Sequence, residues 1–382
     1  MMYGVKCSKC GLIQLPKSTC KACGAQLEAV QENPVPRATR PQNRETLPPV
    51  QKPSLNSKKL VHHHAKKDNP SAFSFHGEGG SLFGIWIVNM FLAAITLGIY
   101  YFWGKVKIRK YLFSQTEFDG DRFAYHGTGK ELFVGSMKAL VFFFIPLFLL
   151  IQIPTFMGGG QVIYRMITLL TYFIIVVFIP VAMVGVRRYR LSRSSWRGIR
   201  FSFRGDTWDF IKLFLWGSFL TAITLGIYNP FFETKRYDFM VSNSYFGNRQ
   251  FEFDGNGREL LATYLLALLL TLPTLGLYWF WYLAKKQRFF WQHTSFGSMR
   301  FRSSVTGWAL LKLYISNGLI VVLTLGLAWP WVMVRNLRFI CDHLAQEGTL
   351  DLVTVEQEAQ TASATGEALA GFVDAGFDFG IG

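Results

Sequence analysis

Apolar residues in this chain come in blocks, at 82–103, 133–153, 162–186, 210–232, 260–283 and 308–334, each with few charges. A helix of roughly 20 such residues crosses a ~30 Å hydrocarbon core. The pattern therefore predicts six membrane spans. Nothing like the short apolar segment of a signal peptide precedes Leu82. The expectation is a polytopic membrane protein.

A finer pattern runs through the blocks. "TLGIY" at Thr96 returns as "TLGIY" at Thr224, "TLGLY" at Thr274 and "TLGLA" at Thr324, the last three 50 residues apart. Aromatic–polar–aromatic phrases begin at Phe73, Phe123, Phe201 and Phe251, with a decayed version at Phe301. Their period of two is that of a half-buried strand, and the glycine-containing turns just before the later ones suit tight hairpins. Glu78, Thr128, Asp206, Asn256 and Thr306 follow at matching places, four of them good helix N-caps. Glu131, Asp209 and Glu259 stand three residues further on, where a capping box closes. From the cap to the threonine is about 17 residues, or ~26 Å of helix. The glycine of TLG suits a C′ position, where a left-handed residue ends a helix. The predicted fold is mainly α: a polytopic membrane helical bundle of five ~50-residue repeats. Each would hold a short β-hairpin, a membrane helix, a TLG corner and an amphipathic basic segment. The second would be enlarged by two apolar spans joined at Gly158, Gly159 and Gly160.

The segment after each corner carries bases at matching positions: Lys107, Lys235, Lys285 and Arg335, with Lys110, Arg188, Arg288 and Arg338 at the next series. Within a helix, an i, i+3 pair shares a face, although Asp238 interrupts the second series. They read as interfacial anchors, or as contacts for an anionic ligand such as a phospholipid head group. Asn89 and Asn317 share a deep helical position and suit interhelical hydrogen bonds, or a transport path. Two topologies follow. Either each block crosses once and the basic loops alternate sides, or the segment after TLG turns back and every hairpin and basic cluster shares one side. The positive-inside rule favours the second.

Composition supports the membrane reading: half of the 382 residues are hydrophobic, 16% aromatic and only 17% charged. The formal charge of +16 sits in short stretches flanking apolar blocks, as anionic lipid requires; nucleic acid is the less favoured partner. After Arg338 the chain carries acids only.

Cys7 and Cys10, then Cys20 and Cys23, form a C-x2-C-x9-C-x2-C pattern suited to one tetrahedral, structural Zn²⁺. A zinc ribbon at 1–30, a disordered linker at 31–71, a repeat-built transmembrane domain at 72–350 and an acidic tail at 351–382 are the expected domains. His62, His63 and His64 fall in the linker with no further ligand beside them in sequence. A reducing cytoplasmic setting for the N-terminus follows from the ribbon reading.

The F-x-F-x-G … TLG-[IL]-Y … K/R unit resembles the YjgN-type bacterial inner-membrane proteins, a family of unknown function. The likeness runs from about Phe73 to the C-terminus and includes "GEALAGFVDAGFDFGIG". It implies a multi-pass inner-membrane location in a Gram-negative-type bacterium. It brings no catalytic residues.

No HExxH, GxSxG, P-loop or paired intramembrane carboxylate is present, so no enzymatic activity is expected. The expected role is a module that binds, transports or organises lipid or a small anionic solute. The alternative is a membrane-anchored scaffold or sensor, its zinc ribbon recruiting a cytosolic protein or nucleic acid.

Overall fold

The computed structural model describes residues 5–6, 13–14, 73–157, 160–348 and 355. The chain divides into two bodies, Met1–His63 and His64–Gly382. In the first, strand β1 (Val5–Lys6) pairs antiparallel with β2 (Ile13–Gln14). The four cysteines of the metal pattern, the linker histidines and the acidic tail lie outside the described residues.

The second body is mainly helical and is laid out as five consecutive modules. The first holds β3 (Phe73–Phe75), α1 (Gly79–Ile95), α2 (Tyr101–Gln115) and β4 (Thr116–Phe118). The second holds β5 (Asp121–Tyr125), α3 (Gly129–Ala139), a π-helical turn (Leu140–Phe144), α4 (Ile145–Met157), α5 (Gln161–Ser192) and β6 (Ser194–Trp196). The third is β7 (Ile199–Phe203), α6 (Thr207–Ile223), α7 (Asn229–Ser242) and β8 (Ser244–Phe246). Next come β9 (Arg249–Gln250), β10 (Glu252–Phe253), α8 (Arg258–Leu270), α9 (Trp279–Gln292) and β11 (Thr294–Phe296). The last has β12 (Met299–Ser303), α10 (Gly307–Leu323), α11 (Trp329–His343) and β13 (Leu344–Glu347).

The strands do more than form separate hairpins. Consecutive strands pair antiparallel to give a seven-stranded sheet, β3 to β9, and a four-stranded sheet, β10 to β13. The interruption is Phe251, whose amide still donates to Ser244 O at 3.0 Å. Aromatic side chains from every module meet on one face: Phe118, Trp196, Phe246, Phe296 and Phe301 are buried together, with Phe73, Phe123, Phe201 and Phe251 packed against them. Ring centroids at 4.9–6.5 Å link Phe123, Phe201, Phe246, Phe251 and Phe296. This is the range in which offset and edge-on aromatic pairs attract.

Helix starts follow the caps read from the sequence. The side chains of Thr128, Asp206 and Thr306 accept backbone amides of the first turn. The helix of the fourth module starts one residue later, at Arg258, and Asn256 Oδ1 still accepts its amide at 3.1 Å. The expected capping-box acids turn elsewhere. Glu131 pairs with Arg193 at 3.1 Å, and Asp209 with Lys212 at 3.2 Å.

The six apolar blocks are not six uninterrupted helices, and the turn back after TLG expected in the second topology is present. Four of the blocks break at the TLG corner, where the chain reverses and the next helix packs back on the one before. Among the described residues, two helices are long and apolar enough to cross a membrane, Gly129–Ile153 (25 residues) and Gln161–Ser192 (32 residues), both in the second module. Gly79–Ile95 and Gly307–Leu323 are apolar but shorter. Because every module begins and ends in a strand of these sheets, the corners lie at the opposite ends of their helix pairs.

Neighbouring modules are keyed together, and the fifth closes onto the first. Trp103 lies over Gly129, Trp281 over Gly307 and Trp331 over Gly79, where an added Cβ would sit only 2.2–2.7 Å from the indole. Arg188 donates to Gly205 O (2.8 Å), Arg288 to Val305 O (2.8 Å) and Arg338 to Gly77 O (3.1 Å). Thus α11 packs on α1 and completes a ring of helices.

Gly79→Val should displace Trp331 and cost about 1–3 kcal/mol by overpacking. A thermal melt in detergent will show the loss, and adding Trp331→Ala should recover part of it. His126 provides a pH handle outside the apolar layer. Its ring lies 2.7 Å from Ser195 Oγ, and burial, followed by Arg200, Lys110 and Arg193, lowers its pKa below the ordinary 6.5. A depressed histidine contributes fully above 6.5 and loses its contribution as pH falls, because the unfolded chain takes up the proton first. Melts between pH 7 and 5 should therefore fall more steeply for the wild type than for His126→Gln.

Candidate functional site

Each corner solves a backbone problem. A helix leaves its last carbonyls, and the next helix its first amides, without partners. At Thr96 the answer is a Schellman motif: Gly98 N–H reaches Ala93 O at 2.7 Å and Leu97 N–H reaches Ala94 O at 3.3 Å. The expected C′ glycine is therefore C″, and leucine takes C′. Both adopt left-handed backbone, φ 51° for Leu97 and 88° for Gly98. Leu225, Leu275 and Leu325 repeat this at φ 49–51°. A side chain there costs roughly 1–2 kcal/mol.

The threonine offsets that cost. Its hydroxyl donates back to the carbonyl four residues earlier at 2.6–2.7 Å in all four corners. It also accepts the amide four residues later at 2.9–3.2 Å. The next amides are bonded as well: Ile99 to Thr96 O and Tyr101 to Gly98 O, both at 3.1 Å. No amide from Leu97 to Tyr101 needs water. The four leucines are meanwhile 89–94% exposed. A strained, fully exposed leucine on a backbone that satisfies itself is suited to a hydrocarbon surrounding.

Above the corners lie the bases. Lys107, Lys235, Lys285 and Arg335 each follow a corner threonine by eleven residues, which places them about two turns up the returning helix. Lys107 Nζ donates to Tyr100 OH at 2.6 Å and Lys235 Nζ to Tyr228 OH at 3.3 Å. Lys285 reaches Thr263 Oγ1 at 2.5 Å, and Arg335 reaches Ser316 Oγ at 2.8 Å. Lys107, Lys235 and Arg335 remain exposed. The second series divides: Arg188, Arg288 and Arg338 hold the carbonyls that key modules together, whereas Lys110 is exposed. Asp238, the odd member, accepts from Ser242 Oγ at 2.7 Å.

The matched asparagines differ. Asn317 Nδ2 donates to Asn336 Oδ1 across the helix pair at 2.7 Å. Asn89 is buried against Gly104, and its Nδ2 has no hydrogen-bond partner.

Sequence reasoning missed two features. Glu233 and Lys286, at 3.2 Å and both mostly buried, join the third and fourth modules; their spacing of 53 residues carries no local signal. Exposed Trp208 and Trp308 stand one turn before Lys212 and Lys312, whose ammonium groups lie 6.0 and 5.2 Å from the indole centroids. This Trp–Lys arrangement is typical of a membrane–water boundary, and the four-residue spacing could have revealed it.

A sequence profile described as "bacterial protein of unknown function (DUF898)" matches residues 70–280, 249–298 and 260–372. The chain belongs to that family. It is 35% identical over 161 residues to the protein named inner membrane protein YjgN of Escherichia coli K12, covering 42% of this chain and 37% of that relative. The YjgN protein of Salmonella typhimurium LT2 is 30% identical over 141 residues, covering 37% and 33%. The matched stretch thus spans about a third of these relatives' length. No solved structure matches.

Thr224→Val keeps the shape of the corner in the third module but removes the hydroxyl's bond to Leu220 O and strands the Tyr228 amide. Leaving that donor unpaired should cost about 1–3 kcal/mol. The same change at the exposed Thr306 cap should cost nearer 1 kcal/mol, and paired melts of the two variants check the difference.

Proposed function

We propose that this chain is a multi-pass integral protein of the bacterial inner membrane, without enzymatic activity, that binds and organises anionic lipid. The observation that carries the reading is the common height of Lys107, Lys235, Lys285 and Arg335 above exposed corner leucines. Apolar tips enter the acyl layer, and the bases then meet phosphate at the head groups, each Lys or Arg near an anionic surface adding about 1 kcal/mol. The modules are read as five copies of one unit, which multiplies a weak contact around the ring. The inner-membrane names of the relatives support the location. Positive charge on the strand side supports a cytoplasmic N-terminus by the positive-inside rule. Changing all four bases to Gln should reduce phosphatidylglycerol and cardiolipin co-purified with the protein several-fold, measured by lipid mass spectrometry. Unchanged lipid content in a folded variant would overturn the proposal.

A second reading concerns the N-terminal body. The pairing of Val5 with Gln14 and Lys6 with Ile13 brackets the segment that contains Cys7 and Cys10. A short hairpin is a fitting frame for two thiolates of a tetrahedral site. Cys7, Cys10, Cys20 and Cys23 would hold one structural Zn²⁺, and the body would recruit a cytosolic protein. Metal analysis should find one zinc per chain, and clearly less after Cys20→Ser.

A further inference from the structure

We infer that the four TLG corners end inside the bilayer, embedded in the acyl chains of a single leaflet, and that only the α3–α5 hairpin crosses it. The inference rests on the membrane reading above and goes beyond it by assigning a depth to each module.

Residue counts set the depths. Six uncharged residues separate Gly98 from Lys105 and Gly226 from Glu233, and eight separate Gly276 from Lys285 and Gly326 from Arg335. At 1.5 Å per residue the returning legs therefore offer about 9–12 Å of apolar length. On the entering legs of the third and fifth modules, eleven uncharged residues follow Lys212 and Lys312 before the corner, or ~16 Å; in the first and fourth, seventeen follow Glu78 and fourteen follow Glu259, beginning at the helix start beside the strand layer. The returning lengths and the ~16 Å entering lengths fit half of a ~30 Å core and fall far short of the whole. The second module differs. It has 19 uncharged residues at 139–157 and 21 at 166–186, giving ~28 and ~31 Å.

Packing turns those lengths into a choice. Helix α3 packs beside α2, and α5 beside α6, with all modules rooted in the same strand layer. Helices α1, α6 and α10 have 17 residues each. The second module continues past that level through 146–157 and 161–175, about 18–22 Å further. Phe148, Leu149, Ile163, Met166, Leu169 and Phe173 in this extension are all exposed. If the corners lay at the far membrane surface, this extension would stand in water as an apolar patch no soluble surface carries. With the extension in the acyl layer, the corners fall near the bilayer middle. There a turn must satisfy its own backbone, as the threonine corner does.

Single cysteines at Leu225 and Leu325, and one at Gly160, test this in the full chain. Intact spheroplasts are treated with a membrane-impermeant maleimide, then inverted vesicles, then detergent-solubilised protein, each compared with the unsubstituted chain. The expected result is labelling of Gly160→Cys from the outside only. Leu225→Cys and Leu325→Cys should be blocked from both faces and labelled more than tenfold faster in detergent. Labelling of either corner cysteine from outside would mean that its hairpin crosses, and would overturn the inference while leaving the protein in the membrane. Labelling from the cytoplasmic face would likewise overturn it, by placing the corner at the near surface. Recovery of the chain in the soluble fraction, with every site reactive, would defeat the membrane reading itself.

Discussion

The aromatic hub shared by the strands is the interaction on which the architecture depends. Phe118, Trp196, Phe246, Phe296 and Phe301 are each contributed by a different module and are buried together. Burying such rings contributes on the order of 2–3 kcal/mol each. Once the hub forms, every strand pair lies at the same end of its helices. Each helix pair must then leave the hub and come back. The corners, the helix ring and the segregation of charge all follow from that requirement.

The keys between modules act on this frame. An indole seated on a glycine and a guanidinium on a carbonyl repeat between neighbours and also join Trp331 to Gly79 and Arg338 to Gly77. The closing contact spans 261 residues of sequence, so its entropic cost is met only after the intervening modules have packed. The arginines therefore divide their work differently from the lysines. Arg188, Arg288 and Arg338 each hold a carbonyl through one guanidinium N–H, while Lys107 and Lys235 lie beside tyrosines at the rim.

Much of this was legible in the sequence because it depends on local chemistry. Thr128, Asp206 and Thr306 announce helix starts through side chains that bond their own first turn. The threonine and glycine of TLG announce a stop for similarly local reasons. The length of the apolar blocks, taken alone, overstates the reach of each helix. A run such as 82–103 satisfies a length test for a span, although Leu97 and Gly98 break it with two left-handed residues. Leucine gives no compositional warning of that conformation. The Glu233–Lys286 pair and the unpartnered Asn89 were beyond reading because they depend on which helices become neighbours.

The sequence alone determined the module boundaries, the helix caps, the corner threonines and the spacing of bases from each corner, all set by interactions within a few residues. The tertiary structure decided the rest: that the strands pair across modules into two sheets interrupted at Phe251, that their aromatic rings share one hub, and that the fifth module meets the first. The reason is physical. Hydrogen bonds within a turn depend on residue order, whereas an aromatic hub and an indole on a distant glycine exist only once the chain has brought them together.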